Sequence, residues 1–514
     1  VTTRNEFEAA RSENPVVPVT RELFADADTP VNIYRKLAHG RPGTFLLESA
    51  DQGIFTRYSF VGARVFGVLT EQNGRAHWQQ TPGSSRLSEQ RLLPGGVEHL
   101  QPVEALRAVY ERWKCQEVPN LPPLASGLVG YLGWESIAEF EHVQFPDEVP
   151  EVPRQHLGLV SDLVVIDHRT GSLLLVANVL CDEGDSGELW ADAQRRLDRL
   201  EAELQEPQAV ALGQLDRTAE PQIRRTMSQE DYYELVRTAK AHIVDGDIFQ
   251  VVLAQRFETD CSADPLDVYR VLRYLNPSPY LYLLSCTGVD AQPFYVVGSS
   301  PEALVTVSGS HVLTHPIAGS RPRGSSVDED QRLEQELLAD PKERSEHLML
   351  VDLSRNDISK VSEPGSVEVS EFMRIERFSH IMHISSTVEG KLRDNLNPVD
   401  ALEATFPAGT LSGAPKPWAL RIINKLEPVR RGVYGGVVGY VGLSGHADLA
   451  IAIRTATLLG DTAIVQAGGG IVADSQPELE EEESRNKAAA PLRAVAVANT
   501  LHSPDREHSQ SDRS

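Results

Sequence analysis

Two carboxylates three residues apart, Glu480 and Glu483, stand just beyond three glycines in series, Gly468, Gly469 and Gly470. All five lie in residues 466–487, read as QAGGGIVADSQPELEEEESRNK. On a helix, positions i and i+3 share a face, so both carboxylates would point the same way. Serial glycines admit positive φ and let a ligand approach backbone amides without interference from Cβ, which suits a small anion such as a carboxylate. Hard oxygen donors beside an anion cradle are what a Mg²⁺ ion bridging protein and substrate requires. Read alone, the stretch suits a glycine turn and a solvated charge run equally well. Residues 340–350 (DPKERSEHLML) repeat the spacing with Glu343 and Glu346. An exposed structural helix also carries such pairs, but a divalent ion draws oxygens from more than one element, and here two elements offer them.

Other residues have the chemistry to complete a polar site. Residues 448–457 (DLAIAIRTAT) alternate as one strand, with Leu449, Ile451 and Ile453 on one face and Ala450, Ala452 and Arg454 on the other. A buried guanidinium needs an acceptor; a bound carboxylate would serve, and so would an internal salt bridge. Residues 432–443 (GVYGGVVGYVGL) read as a glycine-rich strand with Tyr434, Gly436 and Val438 on one face. Residues 405–416 (TFPAGTLSGAPK) read as a turn-rich loop bearing the hydroxyls of Thr410 and Ser412. His380 and His383 face opposite sides of a strand-like stretch, a poor metal pair, although one could serve as general acid or base. The sequence has no Walker A, Rossmann or G-x-S-x-G motif, and Arg321-Pro322-Arg323-Gly324 lacks the lysine and hydroxyl of a phosphate loop.

These residues need a large frame, and 514 residues supply one, as two lobes or one intertwined domain. Residues 1–20 are polar and read as a loosely held, flexible N-terminus. Residues 21–204 read as a flanking region, with helices near 31–37, 103–114 and 189–204. Its strands fall at 44–49, 57–62 and 65–70 (the last two with hairpin-like spacing), 125–135, 159–167 and 172–176; residues 80–100 read as a loop. Residues 205–227 lose periodicity, carry two prolines and read as a linker. A second region spans 228–499 and opens on a helix started by Ser228, and 500–514 read as a disordered tail. A net charge of −25 argues against nucleic acid or an anionic membrane as partner. An anionic substrate would then need local positive potential from metal, arginine and backbone N–H. Four cysteines without metal-ligand spacing, no apolar signal region and no membrane-length apolar run point to a soluble, cytoplasmic protein.

Ordered blocks along the chain carry a resemblance to a known family. They are LLES (46–49), RYSFVG (57–62), GDIFQVVLAQRF (246–257), NPSPYLY (276–282), GSSPE (298–302), PIAGSRPRG (316–324), EHLMLVDLSRND (346–357) and FPAGTLSGAPK (406–416). Over residues 32–499 the chain resembles the chorismate-utilising enzymes, and within them most closely the component I (synthase subunit) family of anthranilate synthases. The resemblance implies an α/β (α+β) sandwich, two large and mainly antiparallel sheets packed face to face with outer helices, the N-terminal part flanking the catalytic part. It implies a Mg²⁺-dependent carbon–oxygen lyase that turns chorismate and ammonia into anthranilate and pyruvate in tryptophan biosynthesis. Glu346 and Glu483 would bind Mg²⁺ directly, and Glu343 and Glu480 would hold its water. Gly468, Gly469 and Gly470 would cradle a substrate carboxylate, with Arg454, Tyr434, Thr410, Gly319, Ser320 and Lys487 completing the substrate pocket. Glu302 would be the general acid for the departing 4-hydroxyl, and His383 would assist loss of pyruvate.

Two positions sort the chain within that family. Members that add water carry a lysine base where this chain has Gln250, and a glutamine cannot deprotonate water, so attack by ammonia fits better. Members making the para-aminated product carry lysine where this chain has Ala318. Departures are Ser320 in place of the family's threonine, and the lack of an aromatic after Glu480. Ser49, Pro279, Tyr280 and Leu281 resemble a pocket for L-tryptophan as allosteric feedback inhibitor. No glutaminase cysteine elbow is present, so ammonia is expected from a separate glutamine amidotransferase subunit (component II) in a hetero-oligomer such as a heterotetramer. Two alternatives stay open: an aminodeoxychorismate or aminodeoxyisochorismate synthase, and, more remotely, a non-catalytic tryptophan-binding regulatory protein.

Overall fold

The computed structural model describes residues 2–501 apart from 26, 39, 51–56, 82–86, 142, 144, 146–149, 209–212, 289 and 378–380. His380 and the expected tail beyond residue 501 lie outside the described residues.

Long runs of alternating β-branched and apolar residues build antiparallel strands around one hub, Gln155–Asp167. Its first half lies between Tyr58–Gln72 and Gly127–Leu132, and its second between Tyr58–Gln72 and Ser172–Leu180. Val16–Phe24 pairs with the far edge of Ser172–Leu180. Two sheets diverge from this hub. One continues through Phe45–Glu48, Tyr280–Thr287, Pro293–Ser300, Thr455–Leu459 and Thr462–Ile471 to Gln250–Asp260. The other runs from Gly127–Leu132 through Val437–Gly442, Ala447–Ile451, Ala303–Ser308 and His311–Thr314 to Ile381–Lys391. That last strand is flanked by both Ile317–Pro322 and Glu368–Arg377.

The two sheets face each other across a shared core. Phe45, Phe60, Tyr282 and Phe294 of the first meet Val438 and Tyr440 of the second, with the Phe60 and Tyr440 rings 6.0 Å apart. Helices cover the outer faces: Ile33, Leu197, Tyr269 and Leu492 pack on one, Leu106, Leu402 and Ile423 on the other. This is the sandwich that the resemblance implies, with one addition: the sheets are hydrogen-bonded into a single network through the hub. The strands before residues 205–227 form its centre and those after extend both sheets outward, joined where Phe45–Glu48 pairs with Tyr280–Thr287 and Gly127–Leu132 with Val437–Gly442.

Several elements differ from their sequence reading. Residues 2–20 are held: Thr3 caps the helix Arg4–Arg11 with a reciprocal bond from Glu6, Phe7 is buried, and Val16, Val17 and Val19 enter the core. Residues 57–62 and 65–70 are not a hairpin but one 15-residue strand, Tyr58–Gln72, whose register against the hub shifts between residues 62 and 67. Extra residues in such bulges bend a strand without ending it. The hairpin follows at Asn73 and Gly74, both at positive φ, where Arg75–Gln79 turns back. Residues 80–100 include a short helix, Glu89–Leu92, that buries Leu92. Ser228 caps the helix Gln229–Val244 as expected, exchanging bonds with Asp231.

Candidate active site

The glycines lie inside a strand, not in a turn after one. Thr462–Ile471 pairs through them with Gln250–Asp260, Gly468 opposite Ala254 and Gly470 opposite Val252. Their use is close approach. A Cβ on Gly469 would sit 3.1 Å from Glu480 Oε2 and 3.6 Å from Glu483 Oε1. A Cβ on Gly470 would strike Gln250 Nε2 and lie 3.5 Å from Glu346 Oε1. The neighbouring strand Thr455–Leu459 pairs only as far as Val465, so beyond it the free edge of the glycine strand faces the site. On that edge Gly468 O accepts from Lys487 Nζ at 3.1 Å, and the Tyr434 hydroxyl lies near the Gly468 amide. With a strand's period of two, Gly470 presents its amide the same way.

Two helices aim their first turns at this edge. Asp340 caps Pro341–Ser359, accepting from the N–H groups of Lys342 and Glu343, and Pro477 begins Pro477–Ala498. Carboxylates suit helix N-termini, where the backbone dipoles are positive. Burial first, then repulsion from Glu343 and Glu483, raises the Glu346 carboxyl above its ordinary range. Burial and Glu483 do the same to Glu480. The four carboxylates thus feel one another, and each pair comes from a different helix. Lys487 Nζ lies 2.6 Å from Glu483 Oε1, Arg321 Nη1 3.3 Å from Glu343 Oε1, and Gln250 Nε2 donates to Glu346 Oε1 at 3.4 Å. Gln250 Oε1 is buried without a hydrogen-bond partner. Among the described residues no three His, Cys, Asp or Glu side chains form a ready metal cage. The donor chemistry nevertheless fits a hard divalent cation: hard oxygens in surplus, two of them raised by burial and by neighbouring carboxylates whose repulsion a cation would relieve.

Arg454 and Tyr434 reach the site by a route the alternation pattern hides. Residues 447–459 are two strands, Ala447–Ile451 and Thr455–Leu459, split by a turn in which Arg454 takes φ 52°. Tyr434 precedes the strand Val437–Gly442 in a second turn. The turns bind each other: Gly435 N donates to Ala452 O at 2.9 Å and Ala452 N to Gly436 O at 2.8 Å. Arg454 Nη1 then donates to Lys487 O at 3.0 Å, next to the carboxylates. The internal salt bridge weighed from sequence belongs instead to Arg431, fully buried on Glu427 at 2.6 Å, whose guanidinium also bonds Leu411 O and Val252 O.

A second group gathers around Glu302, which is 7% exposed. Burial pushes its carboxyl up to about 8, although Thr410 Oγ1, 3.1 Å away, bonds it. Thr410 sits on a short helix, Gly409–Ser412, where a loop was expected. His383 Nδ1 lies 3.0 Å from Gly319 O, the partner of an Nδ1–H, and burial lowers its basicity. Gly319 needs its positive φ of 69°, and a Cβ there would meet Glu343 Oε2 at 2.9 Å. Ser320 pairs with His383 across the strands but is exposed.

Ser49, Pro279, Tyr280 and Leu281 line one cavity of about 310 Å³ between the two sheets. Leu281 pairs with Glu48, which brings the two chain segments together, and Tyr280 donates to Asp448 Oδ1 at 2.9 Å. Sequence reasoning missed the ion pairs that brace these sites. His315 bonds Glu376 at 2.6 Å, and Lys416 bonds Asp357 at 2.5 Å. Their partners stand dozens of residues apart in no periodic pattern. The only local hint is that Asp357 and Lys416 end two of the ordered sequence blocks.

A family model described as chorismate binding enzyme matches residues 68–493. The chain is 50% identical over 506 residues to anthranilate synthase component 1 of Arthrobacter globiformis, covering 97% of this chain and 93% of that protein. It is 47% identical to the protein of that name from Mycolicibacterium smegmatis, covering 98% and 95%. The crystal structure of anthranilate synthase component I from Streptococcus pneumoniae superposes with a TM-score of 0.72 at 34% identity, covering 86% of this chain and 93% of that one. The menaquinone-specific isochorismate synthase of Escherichia coli shares the fold, with a TM-score of 0.67 at 18% identity over 96% and 98% of the chains.

Proposed function

The chain belongs to the chorismate binding enzymes, and on that footing we propose that it converts chorismate and ammonia to anthranilate, pyruvate and water. The observation that carries this reading is the meeting of both carboxylate pairs at the glycine strand, with a glutamine rather than a lysine, Gln250, wedged between Gly470 and Glu346. Gln250 has no basic nitrogen to activate water, whereas ammonia is already a nucleophile. The names of the relatives above support the same choice.

The residues divide the work. Mg²⁺, held by Glu346 and Glu483 with Glu343 and Glu480 placing its water, would supply positive charge to the ring carboxylate of the substrate. Arg454 and Lys487 add fixed positive charge, which a chain of net charge −25 needs in order to hold a dianion. Tyr434 stands beside the Gly468 amide at the strand edge. Glu302 keeps its proton at neutral pH because its carboxyl sits at about 8, and it delivers that proton to the departing 4-hydroxyl. Its bond from Thr410 aims it. His383, with the proton on Nδ1 directed at Gly319 O, keeps Nε2 as its basic nitrogen for the step that expels pyruvate.

Ammonia comes from a glutamine amidotransferase partner, consistent with relatives that are named as a component 1. The inter-sheet cavity binds L-tryptophan as feedback inhibitor through Ser49, Pro279, Tyr280 and Leu281. The test is product analysis: purified chain, chorismate, Mg²⁺ and an ammonium salt should give fluorescent anthranilate and pyruvate in equal amounts. A non-aromatic amino product that retains the enolpyruvyl group, or no product, would overturn the assignment.

A further inference from the structure

The inter-sheet cavity and the Glu302 carboxyl lie on opposite sides of one thin wall. Pro301 and Ala303, the chain neighbours of Glu302, line the cavity, while Glu302 itself turns away to meet Thr410. The same holds one strand over. His315 lines the cavity, while its chain neighbours Thr314 and Pro316 line the pocket on the other side, together with Glu302 and Thr410. His315 is fixed from both ring nitrogens, Nδ1 to Thr387 Oγ1 at 3.0 Å and Nε2 to Glu376 Oε1 at 2.6 Å. Glu376 also accepts from Ser385 at 3.0 Å and is registered opposite His383. Thr387, Glu371 and Glu376 line the cavity as well. A single pair therefore touches the cavity and abuts both groups assigned to proton transfer.

We propose that His315 and Glu376 are positioning residues for the acid Glu302 and that, through them, occupancy of the cavity is communicated to the reaction. The proposal rests on reading the cavity as the tryptophan site and Glu302 as the acid. A ligand that crowds His315 displaces the 314–316 segment, and with it the wall of the pocket that holds the Glu302 carboxyl. The pair is built as an ion pair. Burial pulls the His315 imidazole down, but the bond to Glu376, with the charges of Glu376, Glu302 and Glu371, holds it above its ordinary value. The Glu376 carboxyl is held low by His315 and Ser385 against the opposing effect of burial. Its charge also opposes the lowering of His383, to which Arg454 and Lys487 contribute.

The experiment measures L-tryptophan binding by calorimetry and its inhibition of ammonia-dependent anthranilate formation, on the full chain. His315→Leu and Glu376→Gln should bind tryptophan within about threefold of the unsubstituted chain while maximal inhibition falls about tenfold. His315→Gln, whose amide reaches toward Glu376, should keep most of the inhibition. Glu376→Gln keeps the side chain's shape, so it tests the pair even if His315→Leu does not fold. Full inhibition in both His315→Leu and Glu376→Gln would overturn the proposal. So would parallel loss of binding and inhibition, which would make the pair part of the ligand site itself. If the unsubstituted chain shows no tryptophan binding at all, the reading of the cavity fails and the coupling with it. That failure is told apart by the first titration.

Discussion

Glu302 shows how burial makes a reagent from an ordinary carboxyl. Its pKa of about 8 keeps it protonated at neutral pH, and in the proposed mechanism the protonated form is the competent one. The kcat of the ammonia-dependent reaction should therefore decline as pH rises through about 8. Glu302→Gln should lower kcat by about 10²–10⁴ and leave the chorismate KM little changed. Stability gives an independent check. In the unfolded chain the group titrates near 4.5, so the native state binds its proton more tightly, and the stability it contributes erodes as pH rises from 4.5 to about 8. The melting temperature of Glu302→Gln should accordingly gain on that of the unsubstituted chain across this window; a constant difference would mean that Glu302 is not buried as described. Nothing in the local sequence GSSPE announces such a shift. It arises because Thr410 and Ile451 come from distant segments, Thr410 bonding the carboxyl and Ile451 N donating to the Glu302 carbonyl at 3.0 Å. The paired glutamates were legible because i,i+3 spacing is local, and Arg454 was legible only as a residue type, since its turn interrupts an alternation that reads as continuous.

Elements decide how near these residues come. The glycine strand was recognised by composition, yet its use is clearance rather than positive φ. Gly470→Ala tests this, because its Cβ would drive Gln250 from Glu346. A displacement on the order of 1 Å at a reacting site costs about 10²-fold, and kcat/KM for chorismate should fall by that much with little change in melting temperature. Unchanged kinetics would show that Gln250 and Gly470 lie outside the site. Strand periodicity and capping residues made most elements readable, as with Ser228 and its helix. Bulges and turns were not readable, because a register shift inside Tyr58–Gln72 leaves the apolar alternation on either side intact. The mutual bonding of the Tyr434 and Arg454 turns depends on two sheet strands already being adjacent, which no single segment encodes.

At the scale of the molecule, strand pairing across the 205–227 boundary in both sheets makes the two halves one folding unit. A protease nick within residues 205–227 should leave both fragments associated through gel filtration, since Phe45–Glu48 lies between Tyr58–Gln72 and Tyr280–Thr287. Fragments that separate under native conditions would contradict these shared sheets. Packing among the later elements brings Pro341–Ser359 and Pro477–Ala498, some 140 residues apart in sequence, to one strand edge, and the proposed Mg²⁺ and substrate site rests on that meeting. The direct measurement is a calorimetric titration of chorismate, without ammonia, in the presence and absence of Mg²⁺. It compares the unsubstituted chain with Glu346→Gln and Glu483→Gln. Binding that Mg²⁺ strengthens in the unsubstituted chain and leaves unstrengthened in either variant is the predicted result. Equal Mg²⁺ enhancement in all three would contradict the account.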